Sequence, residues 1–380
     1  MRVASLFAGI GGIERGLVRG TGSAEAVYAC EWWEPAQVVL GDRFPGVVID
    51  GDITEVDRLP EAEIVTGGFP CTDLSQAGRT AGLAGDQSGL VHKALELIEH
   101  HDAEWLLLEN VRNMLVLHKG RAMDAITTEL ERMGFRWAYR LVDSRFTGVP
   151  QRRQRVFLLA SREHDPRPVL FADDAGEPNP SYFRNDAYGF YWTEGLRGLG
   201  WCPDGVPTMK GGSTIGIPSP PAIWIPAAPV GSRIVTPGIS AAERMQGFPA
   251  GWTKSAEPLK RGRGARWKMV GNAVTVGATE WIGRNLTKTK NWEPGEGAAI
   301  ESGRSWPTAA WGETGQRQKV DVSLWPVQKP YRHLTDLMGK DSQPLSMRGT
   351  AGFLDRLGRG RLKVPESFRL DLAEHVEHMR

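Results

Sequence analysis

Short apolar runs and longer amphipathic ones take turns along residues 1–162. Val3, Leu6 and Phe7 close a first strand-like stretch, which runs into AGIGG and then an apolar-periodic segment at 13–18. AVYACEW (26–32), VVIDGDI (47–53), EIVTGGFPC (63–71), WLLLENV (105–111) and RVFLLAS (155–161) repeat the strand pattern. Helical periodicity follows at 36–40, 92–101 and 122–135. Strands alternating with helices at this spacing predict an α/β fold: a doubly wound, Rossmann-like parallel sheet with helices on both faces.

The pattern changes after residue 162. Residues 163–232 are rich in Pro, Gly and aromatics (Tyr182, Phe183, Tyr188, Phe190, Tyr191, Trp192, Trp201) and show little periodicity, which predicts a small inserted region of loops and short strands. Helical pattern returns at 240–248, where Ser240 and Glu243 have capping-box spacing, and again after Asn272. Residues 287–304 read as a linker. A last helix is predicted after Pro365, with Phe368, Leu372 and Val376 on one face. The expected domains are therefore 1–162, 163–232, 233–288 completing the first, and 289–380 as linker and C-terminal extension.

Composition adds exclusions. The chain has 380 residues, 41% apolar and 24% charged, an ordinary globular balance. No apolar run is long enough for a membrane span, and the N-terminus lacks a secretion signal, so a cytoplasmic protein is expected. Three scattered cysteines (Cys30, Cys71, Cys202) exclude a disulfide scaffold and a paired-cysteine zinc site; no metal is expected. Net charge is +1, but residues 136–155 carry six arginines against Asp143 alone. Such a run fits a phosphate-contacting face or a merely solvated surface.

Four constellations carry candidate chemistry. The turn at 7–12 (Phe7, Ala8, Gly9, Ile10, Gly11, Gly12) lets backbone approach a ligand at a helix N-terminus, or is a tight turn and nothing more. Glu31 and Asp52 end the next two strands, where they can accept from a ribose or an adenine amino group; Trp32 and Ile53 adjoin them. Cys71 follows the fourth strand in a loop bounded by Pro70, either a nucleophile or a small buried apolar residue. Glu109 leaves an apolar strand at the same edge, a setting that raises a carboxyl pKa and makes a proton donor. Arg153 and Arg155 alternate on one side of a starting strand, free to hold a phosphate or carbonyl, or simply solvated.

In this order the four resemble the cytosine-5 DNA methyltransferase family. SLFAGIGG is similar to its first motif, Pro70-Cys71 with Ser75 to its nucleophile loop, and Glu109-Asn110-Val111 to its ENV motif. Gln151 to Arg155 resembles its glutamine-arginine motif, 236–252 its ninth and VGNAV (270–274) its tenth. Two departures stand out: DQSGLV (86–91) lacks the usual arginine, and Ala241 stands where an acid is common.

The resemblance implies S-adenosylmethionine as cofactor and double-stranded DNA as partner, with a flipped-out cytosine as target. It gives Cys71 the attack on C6, Glu109 the hydrogen bonds to N3 and the amino group, and Arg155 with Arg153 the base carbonyl or a flanking phosphate. Asn272 would meet the cofactor's methionine end, and Ser75 and Gln151 would contact DNA. Residues 163–232 stand where the family places target recognition, although acids outnumber bases there. The basic stretch 347–363 extends the DNA face or only packs, and deleting 305–380 is expected to leave the methylated sequence unchanged. The resemblance further implies a monomer, with a cognate restriction endonuclease as a possible companion. Rival readings are an RNA cytosine-5 methyltransferase, since a transfer-RNA branch shares the motifs, and an inactive DNA-binding paralogue.

Overall fold

The computed structural model describes every residue except 70–87, 212–218, 260–261, 289, 294, 296 and 302. The chain begins β1 (Arg2–Leu6), α1 (Gly12–Thr21), β2 (Glu25–Cys30), α2 (Glu34–Arg43), β3 (Val48–Asp50), β4 (Ile64–Gly67), α3 (Ser88–Glu99) and β5 (Trp105–Val111). Next come α4 (Arg121–Arg132), β6 (Arg136–Asp143), β7 (Gln151–Arg152), β8 (Gln154–Ser161), α5 (Arg167–Phe171), β9 (Tyr188–Phe190), β10 (Cys202–Pro203), β11 (Val206–Pro207), β12 (Ala222–Trp224) and β13 (Ile234–Thr236). It ends with α6 (Ile239–Met245), α7 (Gly262–Asn272), α8 (Val276–Leu286), β14 (Ala309–Glu313), β15 (Gln316–Lys319), α9 (Leu334–Leu337), β16 (Gln343–Pro344), α10 (Met347–Arg359) and α11 (Glu366–His378).

Nine of these strands form one sheet in the order β15-β14-β6-β8-β5-β4-β1-β2-β3. β1 to β5 are parallel, as their continuous apolar runs predict: Val3, Ala4, Ile64, Val65, Leu106 and Leu107 are all buried. The expectation of a parallel sheet needs correcting beyond β5. β8 runs antiparallel to both β5 and β6. Its connection to β6, residues 144–153, holds no crossover helix, and so short a link joins antiparallel neighbours. β6 itself lies in the run read from sequence as a basic stretch, yet Trp137, Tyr139 and Arg140 on it are fully buried.

α1 fixes the start of the sheet against α8 through glycines four residues apart. A Cβ at Gly12, Gly16 or Gly20 would lie 2.6 Å from Val274 O, 1.9 Å from Thr279 Oγ1 or 2.3 Å from Glu280 O. Only hydrogen at these positions lets the two helix backbones close.

By compactness the chain divides into two units: 1–146, 154–177 and 274–328, then 147–153, 178–273 and 329–380. β14 and β15, in the expected extension, belong to the first and lengthen its sheet beside β6. The second holds an antiparallel sheet, β10-β9-β12-β13-β16, with β16 drawn from the C-terminal segment. α10 and α11 cover that sheet: Phe353, Leu357, Phe368 and Leu372 are fully buried with Phe190, Ile234 and Trp224. No helix of the described residues is long and apolar enough to cross a membrane.

Candidate active site

Every parallel strand of the large sheet delivers its carboxyl end to one edge. β1 runs into the turn at Phe7, β2 into Glu31, β3 into Asp52, β4 toward Phe69 and β5 into Glu109. In open α/β sheets this edge, where strand order reverses, is where ligands bind. Here the reversal falls between β1 and β4.

The turn is held in shape by the next strand. Phe7, Gly9 and Gly11 all take positive φ (55°, 60° and 77°); for Phe7 that is strain of about 1 kcal/mol or more. Glu31 stabilises the turn: Gly9 N–H donates to its Oε2 (2.8 Å) and Trp33 N–H to its Oε1 (2.9 Å). Ala8 N–H donates to Cys30 O, and Glu31 N–H to Asp50 O, so the three strand ends are tied together. Asp52 caps a single helical turn, accepting from the Thr54 amide and hydroxyl, which hold its carboxyl below the usual range. Trp32, next in the chain after Glu31, is 79% exposed, while Ile53, next after Asp52, is buried. Above Gly9 a Cβ would point into open space. The result is an open cradle with backbone, two carboxylates and a bare aromatic face.

The reversed direction of β8 completes the other half. Antiparallel pairing sets Val111 opposite Arg155 and Glu109 opposite Phe157, so Glu109 and Arg155 are diagonal neighbours on one face. Arg155 Nε lies 2.8 Å from Glu109 Oε1, with both side chains almost buried. The apolar strand thus delivers Glu109 into an ion pair with Arg155. Asn110, part of the ENV match but given no role from sequence, donates from Nδ2 to Phe69 O (3.1 Å) and accepts from Val111 N–H. It pins the exit of β4 beside β5. A Cβ at Gly68 would be 3.6 Å from Glu109 Oε2, so that exit passes close to the carboxylate. Pro70, Cys71 and Ser75 follow it and lie outside the described residues. The two described cysteines are unsuited to attack: both are buried, and burial, then Asp50 and the neighbouring carboxylates, push the Cys30 thiol up to about 12.

Two expected site residues are engaged elsewhere. Arg153 does not share a face with Arg155; it is buried, and its guanidinium donates to the carbonyls of Met209 (3.2 Å), Gly271 (3.1 Å) and Ala273 (2.8 Å) within the second unit. Gln151, expected on DNA, is likewise buried, donating to Met245 O and accepting from Met209 N–H. Alternation along a strand breaks at Arg153 because β7 ends at Arg152 and β8 starts at Gln154. Asn272 ends α7 in the second unit, exposed, with the Gly211 backbone tight against its amide.

Comparison with known proteins gives the family. The family model described as C-5 cytosine-specific DNA methylase matches residues 1–181. Type II methyltransferase M2.BsuMI of Bacillus subtilis is 45% identical over 373 residues, covering 94% of either chain. M.SsoII of Shigella sonnei, also a type II methyltransferase, is 36% identical over 160 residues, 42% of either chain. The crystal structure of the S. pombe Dnmt2 methyltransferase overlays with a TM-score of 0.57 at 16% identity, covering 75% of this chain and 98% of that one, a likeness of fold. With a relative this similar along nearly its whole length, the chain belongs to the C-5 cytosine-specific DNA methylase family.

Proposed function

We propose that this DNA cytosine-5 methyltransferase acts through a covalent bond between Cys71 and C6 of a cytosine flipped out of double-stranded DNA, with S-adenosylmethionine held at the carboxyl edge of the large sheet. The observation that carries the reading is the Glu109–Arg155 pair standing beside the exit of β4, two residues before Cys71. C5 of cytosine is a poor nucleophile. Thiolate addition at C6 makes C5 enamine-like, and the electron pair pushed into the ring needs a partner at N3. Glu109 is suited to accept from the amino group and to pass a proton to N3 as that charge develops, and Arg155 to fix Glu109 and meet the ring carbonyl. Once C5 carries the new methyl group, water or another base takes the C5 proton, and the freed electron pair expels the Cys71 thiolate and restores the aromatic ring. Flipping the base costs about a few kcal/mol, which protein contacts to the DNA must offset.

The cradle fits the cofactor. Glu31 and Asp52 offer acceptors to ribose hydroxyls and an adenine amino group, Trp32 an aromatic face, and the turn at Gly9 room for close approach; Asn272 is assigned the methionine end. When bound, S-adenosylmethionine supplies a methyl group activated by sulfonium. Target choice is assigned to the 163–232 region. A restriction endonuclease that cuts the same site is the natural companion, by analogy with the type II relatives.

Trapping tests the mechanism. A duplex with 5-fluorocytosine at the target cannot lose its C5 substituent as a proton, so the adduct persists. The wild type should yield a protein–DNA species that survives denaturation and maps to Cys71, and Cys71→Ser none. Methylation of normal DNA without any adduct would overturn covalent catalysis.

A further inference from the structure

Residues 191–200 of the second unit form a hairpin that the chemistry above does not use. Tyr191 N–H donates to Leu199 O (2.7 Å), and Gly195 N–H to Gly198 O (3.0 Å), leaving Leu196 and Arg197 at the tip. Both tip residues are exposed, Leu196 at 51%. The mount is rigid. Arg356 of α10 donates to the carbonyls of Glu194 (2.9 Å) and Trp192 (2.8 Å), and the Trp192 indole to Pro220 O. Gly195, at φ 121°, presses against the Phe353 ring, where a Cβ would come within 3.2 Å.

The segment after α10 adjoins the tip. A Cβ at Gly360 would lie 2.8 Å from Gly195 O and 3.1 Å from Leu196 O, so the two backbones touch. Arg361 and Lys363 come next in the chain and, like Arg197, are exposed. No described carboxylate pairs with these three, whereas Asp355 is taken by Arg359 and Glu194 by Lys210. The tip thus presents one half-exposed apolar side chain on a fixed apex beside three solvent-facing cations. It suits a polyanion with an apolar interior, which is what stacked bases inside a phosphate backbone offer.

We propose that the 191–200 hairpin, mounted on the C-terminal helix α10, is a DNA-reading finger: Arg197 reads a base edge, Leu196 packs on apolar base surface, and Arg361 with Lys363 hold flanking phosphates. Arginine's fork matches the two acceptors of guanine in the major groove, so a guanine at one target position is the expected readout. The proposal rests on the reading that the second unit engages DNA. It makes the C-terminal segment part of the recognition apparatus, not a packing extension alone.

The test uses the full-length protein in four forms: wild type, Leu196→Ala, Arg197→Ala, and the double variant Arg361→Gln/Lys363→Gln. Bisulfite sequencing of DNA from expressing cells reads the methylated sequence; titration of a short duplex bearing that site at several salt concentrations reads phosphate contacts. Arg197→Ala should relax one position by about 10- to 100-fold. Leu196→Ala should weaken the wild-type site in the same assay. The double variant should keep the sequence and flatten the slope of log affinity against log salt by about two. Tip variants that methylate the wild-type sequence as well as wild type does overturn the finger, and an unchanged salt slope overturns the phosphate contacts. A wild type that methylates no DNA overturns the functional reading itself.

Discussion

Arg153 and Arg155 show how two neighbours in one motif take different work. Arg155→Gln removes the cation that holds Glu109, and kcat should fall by about 10²–10³, the usual loss when one charge-stabilising group leaves a site. Arg153→Met instead strands buried carbonyls at Met209, Gly271 and Ala273, and should lower stability by about 3 kcal/mol. Urea midpoints and turnover per folded molecule separate the two; equal kcat losses with equal midpoints would put both arginines on the base. A second residue-scale test concerns Glu14, buried in the first turn of α1. Burial pushes its carboxyl from 4.5 to about 7, against a smaller opposing pull from Ser5. Between those values the unfolded chain releases a proton that the folded chain keeps. Stability from this group is therefore complete below about 4.5, falls as pH rises toward 7, and is gone above it, a span of about 3 kcal/mol. Glu14→Gln should flatten urea stability between pH 5 and 8, and curves that stay parallel to wild type would show that Glu14 does not titrate there.

At the scale of elements, α1 packs on α8 only because its glycines recur at every fourth position. Gly16→Ala forces a methyl group into Thr279 and the α8 backbone, and should cost about 1–3 kcal/mol in urea unfolding; a variant as stable as wild type would mean the helices are free to separate. The strands and helices of residues 1–135 were legible because each announces itself locally, by an apolar run or a helical stripe. The direction of β8 was not. Nothing in RVFLLAS distinguishes a parallel from an antiparallel strand, and the decisive fact is the absence of a helix between it and β6. β6 was missed for a related reason. Its buried Arg140 and flanking arginines look like surface in sequence, whereas the structure buries Arg140 against the carbonyls of Leu170 and Ser323 and the carboxylate of Asp174. Glu31, Asp52 and Glu109 could be placed at one edge from sequence since each simply ends a strand. The jobs of Asn110, Gln151 and Arg153 could not, because their partners are backbone carbonyls distant in the chain.

Over the whole molecule, the C-terminal segment looks dispensable in sequence and is divided between both units in the fold. β14 pairs with β6, and Trp306 packs 5.7 Å from Trp137, so residues 305–328 close one side of the large sheet's core. Residues 329–380 supply β16 and the cover of the smaller sheet. Phe353, Leu357, Phe368 and Leu372 are each fully buried, and each contributes about 1.5–3 kcal/mol by leaving water. Together that approaches the whole margin of a typical domain, about 5–15 kcal/mol. Deleting 305–380 is therefore expected to loosen both sheets, whereas the sequence alone led to the expectation of an unchanged target. Two truncations should differ in a defined way. A chain ending at 328 keeps the large sheet, so amides of β4 and β5 should stay protected in hydrogen exchange while those of β9 and β12 become labile. A chain ending at 304 also loses β14, and protection should fall in β6 and then throughout the sheet. If β9 and β12 remain as protected in the chain ending at 328 as in the full protein, α10 and α11 are ornaments on a sheet that stands by itself.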